Sequence, residues 1–243
     1  MLSIAGYEVK QQIYRGARCS IYRANCIDNG EKVIIKTIND DLGGIDYENA
    51  VVRINHEFYV AATLESDLVC SPVKLCDGTH PVIIYPDFGG EPLQKFISDK
   101  KIGLYETLKI AIQISIALDE IHKKDIIHKA ISPSNILINP DTLQIKVIGF
   151  ADSSTVKTHG KKEVVQICSP ESLQLDLTFI SPEQTGRTNS VLDYRSDFYS
   201  FGITVYRCLT GNPPFVANDN LELIHQHLER KPEPAYDVDV DVP

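Results

Sequence analysis

The stretch that most constrains the fold of this chain covers residues 125–152. Two short apolar runs within it, at 136–138 and 144–148, have the length and composition of β-strands. Residues 139–142 join the two runs, and their proline and short polar side chains are typical of a tight turn. The sequence therefore predicts a β-hairpin that follows a polar loop and precedes a glycine-containing turn.

The two segments that flank this hairpin carry motifs. His128 opens the first segment, Asn135 follows seven residues later, and the second segment reads G-F-A at 149–151. This arrangement resembles the catalytic hairpin of protein kinases, where an H-R-D-L-x-x-x-N loop and a D-F-G turn bracket two strands. The spacing is kept, but Ala130 replaces the catalytic-loop aspartate and Gly149 replaces the D-F-G aspartate. The resemblance implies a kinase fold that lacks both acids of phosphoryl transfer.

The N-terminal third extends the resemblance. Residues 7–38 read as strands separated by turn signals, and residues 33–36 (V-I-I-K) match the family's V-A-I-K. The resemblance makes Lys36 the phosphate-binding lysine and pairs it with Glu57, in a helix predicted over 51–64 after a loop at 39–49. The residues that the resemblance assigns to nucleotide binding are Gly16, Ile21, Ile34, Lys36, Glu57, Asn135 and Leu137.

Several of these assignments have plain structural alternatives. A lysine such as Lys36 is also common at a strand edge, with its ammonium in solvent. Gly16 is the one glycine kept from the G-x-G-x-x-G-x-V pattern, so an ordinary hairpin turn explains it equally well. Arg15 and Arg18 flank it, either as phosphate ligands or as solvated surface side chains. Ile34, where alanine is usual, is expected to crowd an adenine ring at a cost of about 1–3 kcal/mol.

The middle of the chain resembles the lobe boundary of a kinase. Residues 81–85 are apolar and resemble the last small-lobe strand, with either Ile84 or Tyr85 guarding the pocket, and residues 86–91 resemble the hinge. Residues 104–123 are apolar on nearly every side. This pattern predicts a helix that is buried rather than amphipathic.

The C-terminal half completes the resemblance. Residues 153–177 are polar and aperiodic, as in an activation loop. Three later segments, at 178–183, 196–202 and 209–215, resemble the A-P-E, D-x-W-S-x-G and L-x-T-G-x-x-P-F motifs, with Ser181 in place of the alanine of A-P-E. The predicted fold class is α+β: a bilobal kinase-like fold with a small antiparallel β-sheet lobe carrying one helix, and a larger, mainly helical lobe whose last helices are truncated. The predicted domains are a small lobe at 1–88, a large lobe at 89–231 and an acidic tail or linker at 232–243.

Composition excludes several classes of function. The net charge of -9 and the absence of a basic run in the sequence argue against nucleic acid as a partner. No stretch of the sequence is long and apolar enough to insert into a membrane. Six cysteines without a C-x-x-C pair indicate reduced thiols in the cytoplasm, with no structural metal.

The segments ISPSNILINPDT and LTGNPPF look closest to one subfamily, the N-terminal serine/threonine-kinase-like domains of large bacterial, cyanobacterial-type signalling proteins. Those proteins continue into AAA-type ATPase, GAF and sensor histidine kinase regions. The resemblance implies a pseudokinase signalling module whose partners are attached domains or a partner kinase, with no intact catalytic residue. The alternatives are a weak or atypical serine/threonine kinase and a purely structural scaffold.

The expected cofactor is ATP or ADP, bound weakly and without Mg²⁺, since Asn135 is the one remaining metal-ligand candidate of the motif set. Asp152 lies three residues beyond Gly149. On an extended turn this shift is expected to point its carboxylate away from the position of the lost acid, so it is a poor substitute.

Overall fold

The computed structural model describes residues 4–76, 80–155, 176–188, 190–239 and 242. Contacts divide the chain into two compact units. The N-terminal unit comprises Met1–Gly90 and Gly149–Asp152, and the C-terminal unit comprises Glu91–Ile148 and Ser153–Pro243. An antiparallel sheet with one long helix forms the first, and the second is mainly helical, so the predicted α+β class is confirmed. The predicted domain limits at 88 and 231 stay predictions.

The N-terminal unit is built on an antiparallel sheet with the strand order β1-β2-β3-β5-β4. Its elements are β1 (Tyr7–Arg15), β2 (Cys19–Cys26), β3 (Lys32–Ile38), α1 (Gly44–Ala61), β4 (Lys74–Cys76) and β5 (Val82–Pro86). Strand residues alternate between the two faces of a sheet. One face carries a core cluster made of Ala24, Val33, Ile35, Val82 and Ile84. The opposite face of the sheet carries Lys36.

The turn between β2 and β3 forms where the Asn-Gly step predicts it. Gly30 has a φ of 73°, and its N–H donates to the carbonyl of Cys26 at 2.9 Å. The side chain of Asn29 accepts a hydrogen bond from the N–H of Glu31. This turn fixes the register in which Ile21 lies opposite Lys36.

Helix α1 begins at Gly44, seven residues before the start predicted from the sequence. The prediction of a loop over 39–49 is therefore wrong for its second half. The first turn is largely exposed, and its isoleucine, Ile45, is 73% exposed, so it does not extend the buried apolar stripe of the helix, while Asp46 in that turn is favoured by the helix dipole. The buried face of the helix consists of Ala50, Ile54, Glu57 and Ala61.

The C-terminal unit is organised around two long helices. Its named elements are β6 (Glu91–Pro92), α2 (Leu93–Asp99), α3 (Leu104–His122), β7 (Ile126–Ile127), β8 (Ile136–Ile138), β9 (Ile145–Val147), β10 (Ser154–Thr155), α4 (Arg195–Thr210), α5 (Asn220–Glu229) and α6 (Ala235–Val238). Strand β6 pairs with β8, and β8 pairs with β9. The hairpin predicted for the central stretch is thus present.

The turn of this hairpin owes its shape to Asn139. Its side chain accepts hydrogen bonds from the N–H groups of Asp141 and Thr142, as in an Asx turn. Leu143 then takes a φ of 59°, and its N–H donates to the carbonyl of Asn139. The loop between β8 and β9 spans 139–144 and is therefore two residues longer than the segment 139–142 predicted from the sequence.

Helix α3 has the predicted bounds but not the predicted burial. Ile110, Ile114 and Leu118 are at most 1% exposed, whereas Leu108 and Ile112 are 51% and 60% exposed. The prediction of a helix buried on every side is wrong. An apolar side chain on a helix is buried only where the fold supplies a neighbour on that side, and sequence periodicity does not carry that information.

The segment predicted as a tail contains one helical turn, α6. The carboxylate of Asp239, which follows it, lies 2.7 Å from the ammonium of Lys101. Among the residues that the structure describes, no helix combines the length and the hydropathy needed to cross a bilayer.

His227 on α5 makes the stability of the C-terminal unit sensitive to acid. It is 4% exposed, its Nδ1 lies 2.8 Å from the Tyr199 hydroxyl, and its ring packs edge-on against Phe215. Burial raises the pKa of Tyr199 to about 12, so its hydroxyl donates to the neutral imidazole. Burial lowers the pKa of His227 below 6.5, with a smaller opposing effect from the backbone of Leu177.

Because the pKa of His227 is lowered on folding, the unfolded chain takes up the proton first as the pH falls. We expect the free energy of unfolding to decrease below about pH 6.5, by no more than about 1.4 kcal/mol per pH unit from this group. Urea titrations between pH 7.5 and 5 should show a flatter profile for His227→Gln. His225→Gln, on the exposed face of the same helix, is the matched control and should keep the wild-type slope. Equal slopes in all three proteins would contradict this assignment.

Candidate nucleotide-binding and catalytic-loop sites

Lys36 and Glu57 form an ion pair in the N-terminal unit. The ammonium of Lys36 donates to Oε2 of Glu57 at 2.5 Å, and the two side chains are 18% and 3% exposed. Burial by itself lowers the pKa of Lys36, but the Glu57 carboxylate outweighs this effect and the pKa is raised overall. The pairing predicted from the V-I-I-K motif is present, and it places a positive charge on the face of the sheet opposite the core cluster.

Tyr85 holds the second oxygen of the same carboxylate. Its hydroxyl donates to Oε1 of Glu57 at 3.0 Å. Burial raises the pKa of Tyr85 well above its ordinary value, and Glu57 adds to the effect, so the phenol remains a donor. Tyr85 lies opposite Ile34 in the β3–β5 pair, on the same face as Lys36. Of the two candidates for the pocket-guarding position, Tyr85 is therefore the one that contacts Glu57.

Ile21 and Ile34 share that face with Lys36. Ile21 lies directly opposite Lys36 in the β2–β3 pair, and Ile34 lies two residues before it on β3. Both isoleucines are half-buried. The N-terminal unit thus brings together four of the predicted nucleotide-contacting residues, Ile21, Ile34, Lys36 and Glu57.

The turn between β1 and β2, which contains Gly16, is held by hydrogen bonds. The side chain of Asn39 donates to the carbonyl of Gly16 at 2.8 Å and accepts from the hydroxyl of Ser20 at 2.7 Å. A Cβ at Gly16 would lie 2.6 Å from the hydroxyl of Tyr14, so the tyrosine side chain covers the glycine. This tyrosine occupies space that a phosphate-binding glycine loop leaves open.

Arg15 and Arg18 are both paired with acids from the segment after β3. Arg15 contacts Asp41 at 2.8 Å and Arg18 contacts Asp46 at 3.7 Å. The acids are 68% and 60% exposed. These pairs fit the interpretation of the arginines as surface side chains, and a phosphate would have to compete with the two carboxylates.

The loop before β8 is closed by its own hydrogen bonds although it lacks the acid. The amide of Asn135 donates to the carbonyl of Ala130 at 2.8 Å. The ring of His128 is fully buried: its Nδ1 accepts from the N–H of Ala130 at 3.2 Å, and its Nε2 lies 3.0 Å from the carbonyl of Ile148. These partners match the neutral tautomer with the proton on Nε2. His128 therefore has a structural role in this loop.

Asp197 fixes the start of this loop from α4. It is fully buried and accepts hydrogen bonds from the N–H groups of His128 and Lys129, at 2.9 and 2.8 Å. His122 also lies 2.8 Å from its Oδ2. These contacts hold Lys129 at a φ of 65°, a conformation uncommon for a residue other than glycine. The aspartate of the D-x-W-S-x-G motif thus holds the backbone at the start of this loop.

Glu183, of the A-P-E region, has a partner that the sequence did not suggest. The hydroxyl of Ser196 donates to its Oε1 at 2.6 Å. The next residue, Gln184, donates from its amide to the carbonyl of Lys129 at 2.7 Å. The first contact joins this segment to α4, and the second joins it to the loop before β8. Residues 156–175, most of the predicted activation loop, lie outside the described part of the chain.

Leu137 is the central residue of β8, paired with Lys146 of β9. It lies in the C-terminal unit with Asn135 and Ala130, whereas Gly149 belongs to the N-terminal unit. Gly149 has a φ of 88°. The predicted roles of Asn135 and Leu137 in nucleotide binding stay predictions.

Asp152, the acid weighed as a substitute ligand, is bound to an arginine. The guanidinium of Arg53 on α1 donates to both carboxylate oxygens, Nη1 to Oδ1 at 2.6 Å and Nη2 to Oδ2 at 2.7 Å. A cation competing for Asp152 would have to displace this bidentate pair. In the described ranges no three histidine, cysteine or acidic side chains lie close enough to hold a metal ion.

The fold and these two sites define a kinase-type domain, and comparison with known proteins agrees. Residues 7–241 match the family described as the protein kinase domain, so the chain belongs to that family. It is 28% identical to a probable serine/threonine-protein kinase of Clostridium perfringens, over 98% of this chain and 33% of that protein. It is 25% identical to the serine/threonine-protein kinase PknB of Mycolicibacterium smegmatis, over 94% of this chain and 36% of that protein.

A hybrid protein also matches. The chain is 31% identical to hybrid signal transduction histidine kinase G of Dictyostelium discoideum, over 58% of this chain and 6% of that protein. The chain thus spans about a third of the length of the bacterial kinases named above and a small part of the hybrid protein.

Proposed function

We propose that this domain is a pseudokinase signalling module, which binds attached domains or a partner kinase and transmits a conformational state without transferring phosphate. The observation that carries the proposal is the identity of residues 130 and 149, which are alanine and glycine instead of the two acids. Ala130 cannot accept a proton and Gly149 cannot ligate a metal, while the loop around Ala130 keeps its hydrogen bonds. A kinase needs both acids to orient the hydroxyl and to hold Mg²⁺ on the phosphates.

Nucleotide is the ligand that best fits the remaining residues. The Lys36–Glu57 pair supplies a positive charge that needs no metal, and Ile21 and Ile34 supply half-buried apolar surface on the same face. Asp152 is the one acid among the described residues 150–155, and because it is bound to Arg53, these residues offer no carboxylate without a partner. ATP or ADP would then bind weakly and independently of Mg²⁺, and would shift a conformational equilibrium rather than be consumed.

A second candidate function is that of a serine/threonine kinase with unconventional transfer. The relatives named as serine/threonine kinases favour it, as do the intact Lys36–Glu57 pair and the presence of Asn135. This candidate requires Mg²⁺, whereas the pseudokinase proposal does not.

The test is the melting temperature of the purified chain with ATP or ADP, each in Mg²⁺ and in EDTA. We expect an equal rise in both buffers, because a ligand that binds only the folded state stabilises it by RT ln(1 + [L]/Kd), about 2.7 kcal/mol at a hundredfold excess over Kd. The rise should vanish in Lys36→Met. Lys32→Met, at the exposed end of the same strand, is the matched control and should keep it.

A shift that requires Mg²⁺ would favour the second candidate and argue against the pseudokinase. If the rise in melting temperature persists in Lys36→Met, the nucleotide does not bind at Lys36 on β3. If ligand changes nothing, the domain acts as a scaffold without nucleotide. The hybrid histidine kinase of Dictyostelium discoideum supports attached signalling domains as the partners, and we place the module in the cytoplasm with them.

A further inference from the structure

The bidentate pair between Arg53 and Asp152 links two parts of the N-terminal unit that are far apart in the sequence. Arg53 lies on α1, and Asp152 ends the short helical turn Phe150–Asp152 that follows Gly149. The two side chains are 29% and 25% exposed. Parallel guanidinium–carboxylate bonds fix both the distance and the orientation of the groups they join. The pair therefore restrains the rotation and the position of α1.

The position of Arg53 on the helix indicates that this restraint acts on Glu57. Arg53 precedes Glu57 by four residues, so the two side chains lie one above the other, about 6 Å apart along the axis. Glu57 reaches Lys36 and Tyr85 only while this turn of α1 stays against the sheet. A contact one turn away from Glu57 is well placed to keep it there.

Helix α1 has few other strong anchors. Its N-cap is Gly43, which has no side chain to accept a hydrogen bond, and its last turn carries no basic residue. Two of the three apolar residues on its buried face are alanines. Among the described residues, the buried Tyr47 hydroxyl and the Asn55 carbonyl oxygen lack hydrogen-bond partners. A helix seated in this way depends strongly on each charged contact.

We propose that Arg53 and Asp152 are positioning residues that form a clasp, holding α1 so that the Lys36–Glu57 pair persists without ligand, metal or a modified side chain. The clasp occupies the one acid that follows Gly149 closely and uses it to fix the helix. Its action does not depend on whether nucleotide binds.

The test is hydrogen–deuterium exchange of the whole chain, read at peptides from α1. In Arg53→Gln and in Asp152→Asn we expect exchange in 44–61 to quicken about tenfold, equivalent to about 1.4 kcal/mol of opening free energy. Exchange in β8 and β9 should not change. Arg15→Gln breaks an exposed single contact in the same unit and is the matched control. Arg53→Lys keeps the charge without the fork and should fall between wild type and Arg53→Gln.

A second readout follows the amine of Lys36. Once Glu57 moves away, the lowering effect of burial on the pKa of Lys36 loses its strongest opposition, so acylation of Lys36 by a small amine-reactive reagent should quicken in the clasp variants. The exchanged pair Arg53→Asp with Asp152→Arg should restore both readouts. Unchanged exchange in 44–61, or faster exchange throughout the chain, would overturn the proposal.

Discussion

Replacing Asp197 by asparagine is expected to lower the free energy of unfolding by about 3 kcal/mol. The carboxylate is fully buried and accepts from two backbone N–H groups and from His122, and hydrogen bonds to a charged group contribute about 1.5–3 kcal/mol each. An amide presents an NH₂ group to one set of these donors, leaving them buried and unpaired. Urea denaturation followed by circular dichroism measures the change.

The surface acid of α3 supplies the control for this prediction. Asp119 is 59% exposed and pairs with Lys123 on its own helix. Asp119→Asn removes a carboxylate of the same kind from a solvated position and should leave the urea midpoint where it is. If Asp197→Asn behaves like Asp119→Asn, Asp197 does not hold the loop.

Restoring the two missing acids is expected to produce the largest change in activity. The double variant Ala130→Asp, Gly149→Asp should transfer labelled phosphate from ATP at least 100-fold faster than the wild type, because general acid–base catalysis alone contributes about 10²–10⁴-fold. At Gly149 the φ of 88° strains any side chain, and aspartate is among the few residues that tolerate a positive φ. The initial rate with Mg²⁺ and a serine-containing test protein gives the comparison.

The matched control places asparagine at both positions, because asparagine has the shape of aspartate without its charge. Ala130→Asn with Gly149→Asn should remain as slow as the wild type, and adding Lys36→Met to the acid pair should abolish transfer. Wild-type transfer equal to that of the acid pair would contradict the pseudokinase proposal. If the double variant Ala130→Asp, Gly149→Asp transfers no phosphate, the chain departs from an active kinase at more positions than these two.

Local sequence motifs predicted much of the fold. The hairpin of β8 and β9 and the pairing of Lys36 with Glu57 could be predicted, because short motifs with fixed spacing specify them. The start of α1 could not, since its first turn is largely exposed and the buried apolar stripe of the helix begins later. The exposed face of α3 was missed for the opposite reason, because its apolar residues predict burial that the fold does not supply.

The contacts that the sequence did not reveal join distant segments through single side chains. Arg53 and Asp152 are 99 residues apart, and Ser196 reaches back to Glu183. Neither pair leaves a periodic or spaced pattern, so one sequence gives no signal for them. Tyr85 was one of two neighbouring candidates, and the strand register places it on the face that carries Lys36.

The exposed aliphatic residues of α3 also bear on how this domain behaves in concentrated solution. Leu108, Ile112 and Ile116 present an apolar strip that favours association between molecules, whereas the net charge of -9 keeps molecules apart. Added salt screens the repulsion and leaves the apolar attraction in place. Low ionic strength is therefore the condition in which the domain stays dispersed.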